Sequence, residues 1–311
     1  MIQCVVFGAT GYAGSELLVR LQKHSQFQVV VGFASPTHVS STIQERVQHI
    51  HFPENTRVEP ALDTTVAAYE FDVAFLALSH EHSAYWAPKL TEQGKVVFDL
   101  SGAFRFANQV PYTYMADLHE PLSGNLFANP GCYPTAALIA LKPLIKNGLV
   151  QKQTPIFITG MSGVSGAGRG ANAKTSFCEV SIQPYGVLEH RHQPEISRHL
   201  EHEVIFTPVL IAVPRGLVVV CQVQLANPMS QAQIATLYQD SYKSADLVRV
   251  VYEPPAAHHA ANIPMGLVCA QVKDNIAIVT CAIDNLLMGA ATQALQAANH
   301  RFGFPSLEGI K

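Results

Sequence analysis

A cysteine at the start of a helical segment is the residue in this sequence best placed for chemistry. Cys132 stands in the run Asn-Pro-Gly-Cys-Tyr-Pro-Thr at 129–135, directly after Gly131 and two residues before Pro134. Proline is well tolerated in the first turn of a helix, and the apolar run 135–141 predicts a buried helix. The partial positive charge at a helix N-terminus favours a thiolate, so Cys132 is a candidate nucleophile. On this fragment alone, a structural cysteine in a turn is an equal alternative.

Two histidines could serve such a nucleophile. His190 and His192 belong to the run His-Arg-His-Gln-Pro-Glu, which ends at Glu195. Imidazoles two residues apart beside a carboxylate can supply a base and an orienting partner, although solvated loop histidines would look the same. The sequence does not say which of the two would face the thiol. Neither an H-E-x-x-H motif nor a third ligand accompanies them, so no metal site is predicted.

A glycine-rich turn near the start of the chain predicts a dinucleotide site. The β-rich run 2–7 leads into Gly-Ala-Thr-Gly-Tyr-Ala-Gly at 8–14, and helical apolar spacing follows. Strand, glycine turn and helix N-terminus form the arrangement that binds a pyrophosphate, here with G-x-x-G-x-x-G spacing. The next strand, 27–33, is followed by Ser35 where NAD enzymes usually carry an acid. An acid would repel a 2′-phosphate and serine can bind one, which favours NADP; the alternative is that Ser35 only begins a loop.

Two further segments are candidate ligand sites. A strand at 95–100 ends in Ser-Gly-Ala-Phe-Arg, which places Arg105 beyond the carboxyl end of a strand. There it is a candidate anion clamp, or else a surface arginine stacked on Phe104. The glycine-rich run 162–170 follows a strand at 155–160, and its backbone N–H groups can cradle a ligand. A flexible linker is the alternative for that run.

Composition narrows the class of protein. The chain has 311 residues, of which 48% are hydrophobic and 14% charged, so it is globular and long enough for two domains. A net charge of −3 gives no reason to expect nucleic acid or an anionic membrane as a partner. The six cysteines are scattered without a C-x-x-C pair, which predicts a reducing, cytoplasmic setting. We see no signal peptide and no membrane-spanning run.

The remaining elements place these residues on an α/β framework. A helix is predicted from Ser83 to Gln93, and Gly94 ends it. Ser230 and Gln233 form a capping box for a helix to about Ser241. Strands are crowded in the second half, which favours a mixed or antiparallel sheet. Further strands are predicted at 71–78, 203–207, 216–225, 247–252, 267–272 and 275–282, and a final helix capped by 284–285 runs to about 299.

Taken in order, these blocks resemble one family from end to end. The blocks are 8–14, 99–105, 129–135, 162–169, 190–195 and 284–291, and they are similar to the N-acetyl-γ-glutamyl-phosphate reductases of arginine biosynthesis. The resemblance implies an N-terminal Rossmann domain for NADP(H), formed by 1–131 and 285–311. It also implies an α+β catalytic and oligomerisation domain at 132–284, with a mixed, largely antiparallel sheet. The C-terminal helix would return to the first domain.

The resemblance also implies a reaction and the residues that perform it. A thiolate at Cys132 would attack an acyl phosphate and release inorganic phosphate, and NADPH would reduce the thioester to an aldehyde. His190 is the implied acid/base and His192 the second candidate. Arg105, Arg169 and Glu195 would bind the substrate, and the chain would form a homo-oligomer, a dimer or tetramer. The implied cofactor-binding residues are Gly8, Thr10, Gly11, Tyr12, Ala13, Gly14, Ser35, Ser101, Ser165, Gly166 and Asn285.

Three alternatives compete with this interpretation. Aspartate-semialdehyde dehydrogenase shares the expected architecture and acts on another acyl phosphate. A cysteine acyltransferase or hydrolase could use Cys132 and His190 without a nucleotide, but it would leave the glycine turn at 8–14 unexplained. A non-catalytic NADP sensor would carry an inert Cys132. The chain is short for the family between 106 and 128, so that segment predicts no substrate contact.

Overall fold

Strands and helices alternate through the first part of the chain, a pattern that produces a parallel sheet covered by helices. The computed structural model describes residues 1–118, 120–170 and 173–310. The chain divides into one unit of Met1–Pro130 with Ala290–Lys311, and another of Gly131–Gly289. The sequence-based division put Gly131 and residues 285–289 with the first of these, whereas the contacts of the chain group them with the second.

Within the described residues, the elements up to residue 130 are β1 (Ile2–Phe7), α1 (Tyr12–Gln22), β2 (Phe27–Ala34), β3 (Ser41–Thr42), α2 (Ile43–Arg46), β4 (Arg57–Pro60), α3 (Asp63–Val66), β5 (Val73–Leu76), α4 (His80–Glu92), β6 (Val96–Asp99) and β7 (Leu126–Ala128). The later elements are α5 (Cys132–Lys146), β8 (Ile156–Gly163), β9 (Gln183–Pro184), α6 (His192–Leu200), β10 (Val204–Ile211), β11 (Leu217–Gln224), α7 (Gln231–Ser241), β12 (Val248–Val250), α8 (Ala257–Ala260), β13 (Gly266–Lys273), β14 (Ile276–Ile283) and α9 (Thr292–Phe302). No helix in these described ranges is long and apolar enough to cross a membrane.

The first unit contains a sheet with the strand order β3-β4-β2-β1-β5-β6-β7. Its neighbouring strands pair in parallel except for β3 with β4. All four residues of β5 are buried, as expected of a strand covered on both faces. The strand order reverses between β1 and β5, and ligands of such sheets bind beyond the carboxyl ends of the strands at that point. This is the Rossmann arrangement that the sequence predicted.

The last helix of the chain completes the core of this first unit. Every residue of α9 from Thr292 to Asn299 is buried. The Asn299 amide oxygen lies 2.8 Å from His24 Nε2, and the rings of Phe302 and Phe304 pack edge-on against Phe27. The predicted return of the C-terminal helix to the first domain is therefore confirmed.

The second unit contains a sheet with the strand order β12-β13-β14-β11-β8-β10-β9. Four of its strand pairings are antiparallel, and the pairings β8–β10 and β12–β13 are parallel. The helix α5 packs against β11, β13 and β14, and it is buried on nearly all sides because its sequence is almost wholly apolar. The predicted mixed, largely antiparallel sheet is confirmed.

Several predicted boundaries were wrong because tertiary contacts decide them. The helix α4 begins at His80 after Ser79, and Ser83 lies fully buried inside it. The strand β8 continues to Gly163, because the parallel partner β10 extends alongside it as far as Ile211.

Other elements were shorter than predicted or not predicted. The strand β5 covers only Val73–Leu76 of the predicted 71–78, and α6 was not predicted. The final helix is two pieces, a π-helical turn at Leu287–Ala291 and then α9.

Candidate active site

Cys132 is the first residue of α5, so it stands at the start of a helix. Gly131 is the N-cap residue, and its carbonyl accepts hydrogen bonds from both the backbone N–H and the hydroxyl of Thr135, each at 2.9 Å. The first turn carries no acidic residue, and Cys132 is partly exposed. The partial positive charge of the helix N-terminus therefore acts on a thiol that a small molecule can reach.

A buried carboxylate fixes the backbone just before Cys132. Glu195 lies in the first turn of α6 and is only 1% exposed. Its Oε1 accepts a hydrogen bond of 2.9 Å from the Gly131 N–H. The contact ties the start of α6 to the start of α5. Glu195, which the resemblance made a substrate ligand, thus has a partner within the protein.

His190 stands among aromatic rings beside the start of α5. Its ring makes edge contacts with Tyr133, Tyr185 and Phe206, at centroid distances of 5.9, 5.5 and 5.4 Å. Burial against these rings, and secondarily the charge of Arg191, lowers the pKa of His190 to about 4. The backbone N–H of His192 donates to His190 Nδ1 at 3.2 Å. At neutral pH His190 is therefore uncharged, and its proton is on Nε2.

His192 begins α6 and is more enclosed than His190. Its side chain is 5% exposed, and its ring lies 4.8 Å from the ring of His190 and 5.9 Å from that of Tyr133. Pro194 falls in the first turn of the helix, where the missing N–H costs nothing. The rings of both histidines thus contact Tyr133, in the first turn of α5.

Cys132, His190 and His192 line one cavity of about 610 Å³ in the second unit. That volume is in the range of small-molecule sites. Its walls include Cys132, Tyr133, Gly166, Tyr185, His190 and His192. The two tyrosines were missed by the sequence reasoning, although Tyr133 follows the candidate nucleophile directly. Burial raises the pKa of both phenols, so each is a neutral hydroxyl at physiological pH.

The glycine-rich run 162–170 forms one wall of this cavity. Val164–Ala167 makes a 3₁₀ turn directly after β8. The Ser165 hydroxyl accepts a hydrogen bond of 2.9 Å from the Asn285 amide, and the amide oxygen of Asn285 accepts another from the Gly216 N–H. Ser165 and Asn285 thus hold the turn in place. Arg169 lies further along the same run and is exposed.

The glycine turn of the first unit has the shape of a pyrophosphate cradle. Gly8 has a φ of +75°, and a Cβ there would lie 2.2 Å from the Ala77 carbonyl oxygen. A Cβ on Gly14 would lie 2.1 Å from the Gly8 carbonyl oxygen. Gly11 is the N-cap of α1, and its N–H donates to the Gly8 carbonyl at 2.9 Å. Side chains are excluded at Gly8 and Gly14, so the residues fit a dinucleotide whose phosphates approach the backbone and the helix N-terminus.

Thr10, Tyr12 and Ala13 belong to the same turn and to the first residues of α1. Ser35 follows β2 and is exposed, with its hydroxyl 3.2 Å from that of Thr37. Ser101 is buried, and its hydroxyl donates to the Asp99 carboxylate at 2.9 Å. Of these candidates, Ser35 presents its side chain to solvent, whereas the hydroxyl of Ser101 bonds within its own turn.

Arg105 is a buried arginine rather than a surface one. It is 6% exposed, and its guanidinium donates to the backbone carbonyls of Leu100 and Asn129 at 2.9 and 2.8 Å. These bonds join the turn after β6 to the segment after β7. The sequence reasoning also missed Asn129, whose amide is buried and makes no hydrogen bond within the described part of the chain.

Known proteins match the chain over its whole length. Residues 3–119 match the family model described as "Semialdehyde dehydrogenase, NAD binding domain", and residues 132–285 match "Semialdehyde dehydrogenase, dimerisation domain". The N-acetyl-gamma-glutamyl-phosphate reductase of Aeromonas hydrophila is 40% identical, with all of both chains covered. The protein of that name from Escherichia coli K12 is 39% identical, again over all of both chains.

Solved structures share the fold at low sequence identity. Aspartate semialdehyde dehydrogenase II of Vibrio cholerae, complexed with ASA, has a TM-score of 0.77 and 20% identity. That match covers 97% of this chain and 98% of the other. Aspartate semialdehyde dehydrogenase of Candida albicans, with NADP, has a TM-score of 0.74 and 16% identity, covering 96% and 98%. Both matches describe the architecture alone.

Proposed function

This chain belongs to the N-acetyl-γ-glutamyl-phosphate reductase family, and from that membership we propose its reaction. It reduces N-acetyl-γ-glutamyl phosphate to N-acetylglutamate 5-semialdehyde with NADPH and releases inorganic phosphate. The observation that carries the proposal is the cavity in which Cys132, at a helix N-terminus, lies with His190 and His192. Such an arrangement suits covalent catalysis by a thiolate.

Cys132 is the nucleophile. Its thiolate attacks the acyl carbon, the carbon–sulfur bond forms, and the carbon–oxygen bond to phosphate breaks, leaving a thioester and free phosphate. The N-terminus of α5 stabilises the negative sulfur before the attack. Sulfur also leaves readily in the later step: the oxyanion of the hemithioacetal re-forms the carbon–oxygen double bond, the carbon–sulfur bond breaks, and the aldehyde and the thiolate are released.

His190 is the acid/base residue, and its neutral imidazole donates a hydrogen bond to the reacting oxygen. Because its Nδ1 accepts the His192 N–H, the proton at Nε2 is the one directed to a ligand. Negative charge develops on the acyl oxygen in both steps, and a neutral imidazole set among aromatic rings stabilises it. His192 is the second candidate for proton transfer, and its enclosed position is the reason that His190 is preferred.

NADPH, when bound, supplies the hydride that reduces the thioester carbon. Gly8, Gly11 and Gly14 would hold its pyrophosphate, and Thr10, Tyr12 and Ala13 line the same turn. Ser35 would receive the 2′-phosphate, since no acid stands at the end of β2 to repel it. Ser101, Ser165, Gly166 and Asn285 are assigned to the cofactor by family resemblance.

The substrate-binding residues divide by their surroundings. Arg169 is exposed on the glycine-rich run and is the cation that we assign to an anionic group of the substrate. Arg105 is assigned to phosphate or carboxylate, and its bonds to two backbone carbonyls hold its guanidinium in one orientation. Glu195 positions the start of α5 through its bond to the Gly131 N–H.

The chain acts as a homo-oligomer, a dimer or tetramer, formed through the second unit. Residues 132–285 match a dimerisation domain, and the register sets Phe157, Gln222 and Ile278 side by side on one face of the sheet. Phe157 is 51% exposed there, and an apolar side chain open on a sheet face favours association. We place the protein in the cytoplasm on the ground that none of its six cysteines, all of which are described, forms a disulfide.

The reaction run in reverse tests the proposal. N-acetylglutamate semialdehyde, NADP⁺ and inorganic phosphate should yield NADPH, followed by its absorbance. Omitting phosphate should stop the reaction, because the thioester then has no acceptor. Aspartate semialdehyde should be a poor substrate, since it adds a buried ammonium and lacks one methylene. Cys132→Ser is the control: it should abolish turnover and leave NADPH binding unchanged, because serine without strong base activation is a weak nucleophile.

Three results would contradict the proposal. Equal turnover of aspartate semialdehyde would assign the chain to the other dehydrogenase. Oxidation without phosphate would remove the acyl-phosphate chemistry. Substantial activity in the serine variant would remove the covalent step.

A further inference from the structure

A glycine far from Cys132 in the sequence lies against its side chain. A Cβ built on Gly289 would stand 2.7 Å from the Cys132 Cβ and 3.3 Å from the Cys132 Cα. Carbon atoms that are not bonded to each other meet at about 3.5–4.0 Å, so any side chain at this position would displace the cysteine. Gly289 and Cys132 both belong to the second unit.

A π-helical turn holds Gly289 in this place. The turn spans Leu287–Ala291, and the Gly289 N–H donates to the Asp284 carbonyl at 2.9 Å, a bond across five residues. The Asp284 side chain is fully buried and accepts from the backbone N–H groups of Leu286 and Leu287 at 2.8 and 2.9 Å. Its other oxygen accepts from the Asn262 N–H and from Arg215.

The bonds of Asp284 and Asn285 fix the position of the turn at its N-terminal end. Asp284 and Asn285 bind the backbone of other segments, so the turn cannot retreat from Cys132 without breaking several buried hydrogen bonds. Single π turns within helices are rare in proteins, and those that occur are often found at functional sites. At Gly289 the turn therefore places bare backbone, without a side chain, against Cys132.

We propose that Gly289 is a positioning residue that sets the orientation and reactivity of the Cys132 thiol. The inference rests on the proposed role of Cys132 as the nucleophile. The absence of a side chain at Gly289 lets the Cys132 Cβ occupy its place at the first position of α5. With the Cβ in that place, the sulfur lies at the N-terminus of α5, and the partial positive charge of the helix acts on it.

Gly289→Ala separates this role from an ordinary effect on the helix. The φ angle of Gly289 lies outside the left-handed region, so its backbone accepts alanine. Alanine in place of glycine normally stabilises a helical segment. The contact with Cys132 predicts that alanine at position 289 instead destabilises the protein, because an added methyl group in a packed site displaces its neighbours.

Thiol reactivity is the first measurement. The alkylation rate of Cys132 by iodoacetamide is followed by mass spectrometry on the peptide that contains it, and the exposed Cys178 in the same sample is the internal control. We expect Gly289→Ala to lower the Cys132 rate at least threefold and to leave the Cys178 rate unchanged. A smaller fall, or a rise, would overturn the proposal.

Gly266→Ala is the matched control. A Cβ on Gly266 would lie 2.8 Å from Ile139 Cδ1, on the same helix α5 but away from its first turn. The variant therefore adds a methyl group against α5 without touching Cys132, and its Cys132 alkylation rate should remain that of the wild type. An equal fall in both variants would show a general disturbance of the helix and overturn the proposal.

Thermal stability is the second measurement and does not depend on activity. In the wild-type background Gly289→Ala should lower Tm by roughly 2–8 °C, the range expected for overpacking. In a Cys132→Gly background, where the opposing Cβ is absent, the same substitution should leave Tm unchanged or raise it. An equal loss of Tm in both backgrounds, or a double variant that does not fold, would overturn the proposal.

The two measurements distinguish this proposal from the proposed function. If the wild-type chain does not turn over N-acetylglutamate semialdehyde, the reductase assignment fails, while alkylation and Tm still report on the contact between Gly289 and Cys132. If turnover is normal and Gly289→Ala changes neither measurement, only the positioning role fails.

Discussion

At the scale of single residues, His190 combines a low pKa with a fixed tautomer. Its Nδ1 is occupied by the His192 N–H, which leaves Nε2–H for a ligand. We expect His190→Asn to lower kcat by roughly 10²–10⁴-fold, the usual cost of losing such a group. His192→Asn, measured in the same steady-state assay, is the comparison. A large loss of kcat in the His192 variant together with a small loss in the His190 variant would contradict the assignment and make His192 the acid/base.

His190 also makes stability depend on pH. The folded protein holds this imidazole neutral down to about pH 4, whereas in the unfolded chain it takes up a proton below about pH 6.5. Between these values the unfolded state binds more protons, so acidification lowers the free energy of unfolding. We expect Tm to fall less in His190→Gln than in the wild type between about pH 6.5 and pH 4. Parallel curves for the two proteins would show that the burial of His190 has no such effect.

At the scale of elements, we propose that the end of β2 selects the coenzyme. Ser35 is exposed there and carries no charge to repel a 2′-phosphate. We expect the wild type to prefer NADPH over NADH, and Ser35→Asp to reduce that preference by repulsion between the two negative groups. The ratio of kcat/KM for the two coenzymes measures the effect, and Ser35→Asn is a control of similar size without the charge. Equal use of both coenzymes by the wild type would contradict the assignment.

Local signals predicted those elements whose ends are set by their own residues. The capping box of Ser230 and Gln233 begins α7 where the sequence placed it, because the two side chains bond to the backbone of their own turn. The start of α4 was wrong because Ser79 and Ser83 are both suitable caps, and only the burial of Ser83 beside Asp99 decides between them. The helix α6 was missed because its residues are mostly polar and its buried contacts are distant in sequence.

For the candidate site, too, local sequence indicated some residues, whereas long-range contacts could be seen only in the structure. Cys132 and the two histidines were identified from the types and spacing of residues within short segments, and the structure brings them into one cavity. The contact of Gly289 with Cys132 had no signal, because it depends on how the chain returns after β14. The bond from Glu195 to the Gly131 N–H was likewise hidden, and Glu195 was interpreted as a substrate ligand instead. Contacts between residues distant in sequence, such as these two, cannot be predicted from a single sequence.

At the scale of the whole molecule, the first unit is assembled from the two ends of the chain and the second from its middle. On the ribosome, therefore, β1 to β7 leave the exit tunnel long before α9 exists. Until the last residues are released, Phe27 lacks the rings of Phe302 and Phe304, and His24 lacks Asn299. The second unit is continuous and has all of its strands once residue 289 has emerged. A nascent chain stalled near that point would thus carry one finished unit and one with exposed apolar core, the kind of surface that chaperones bind.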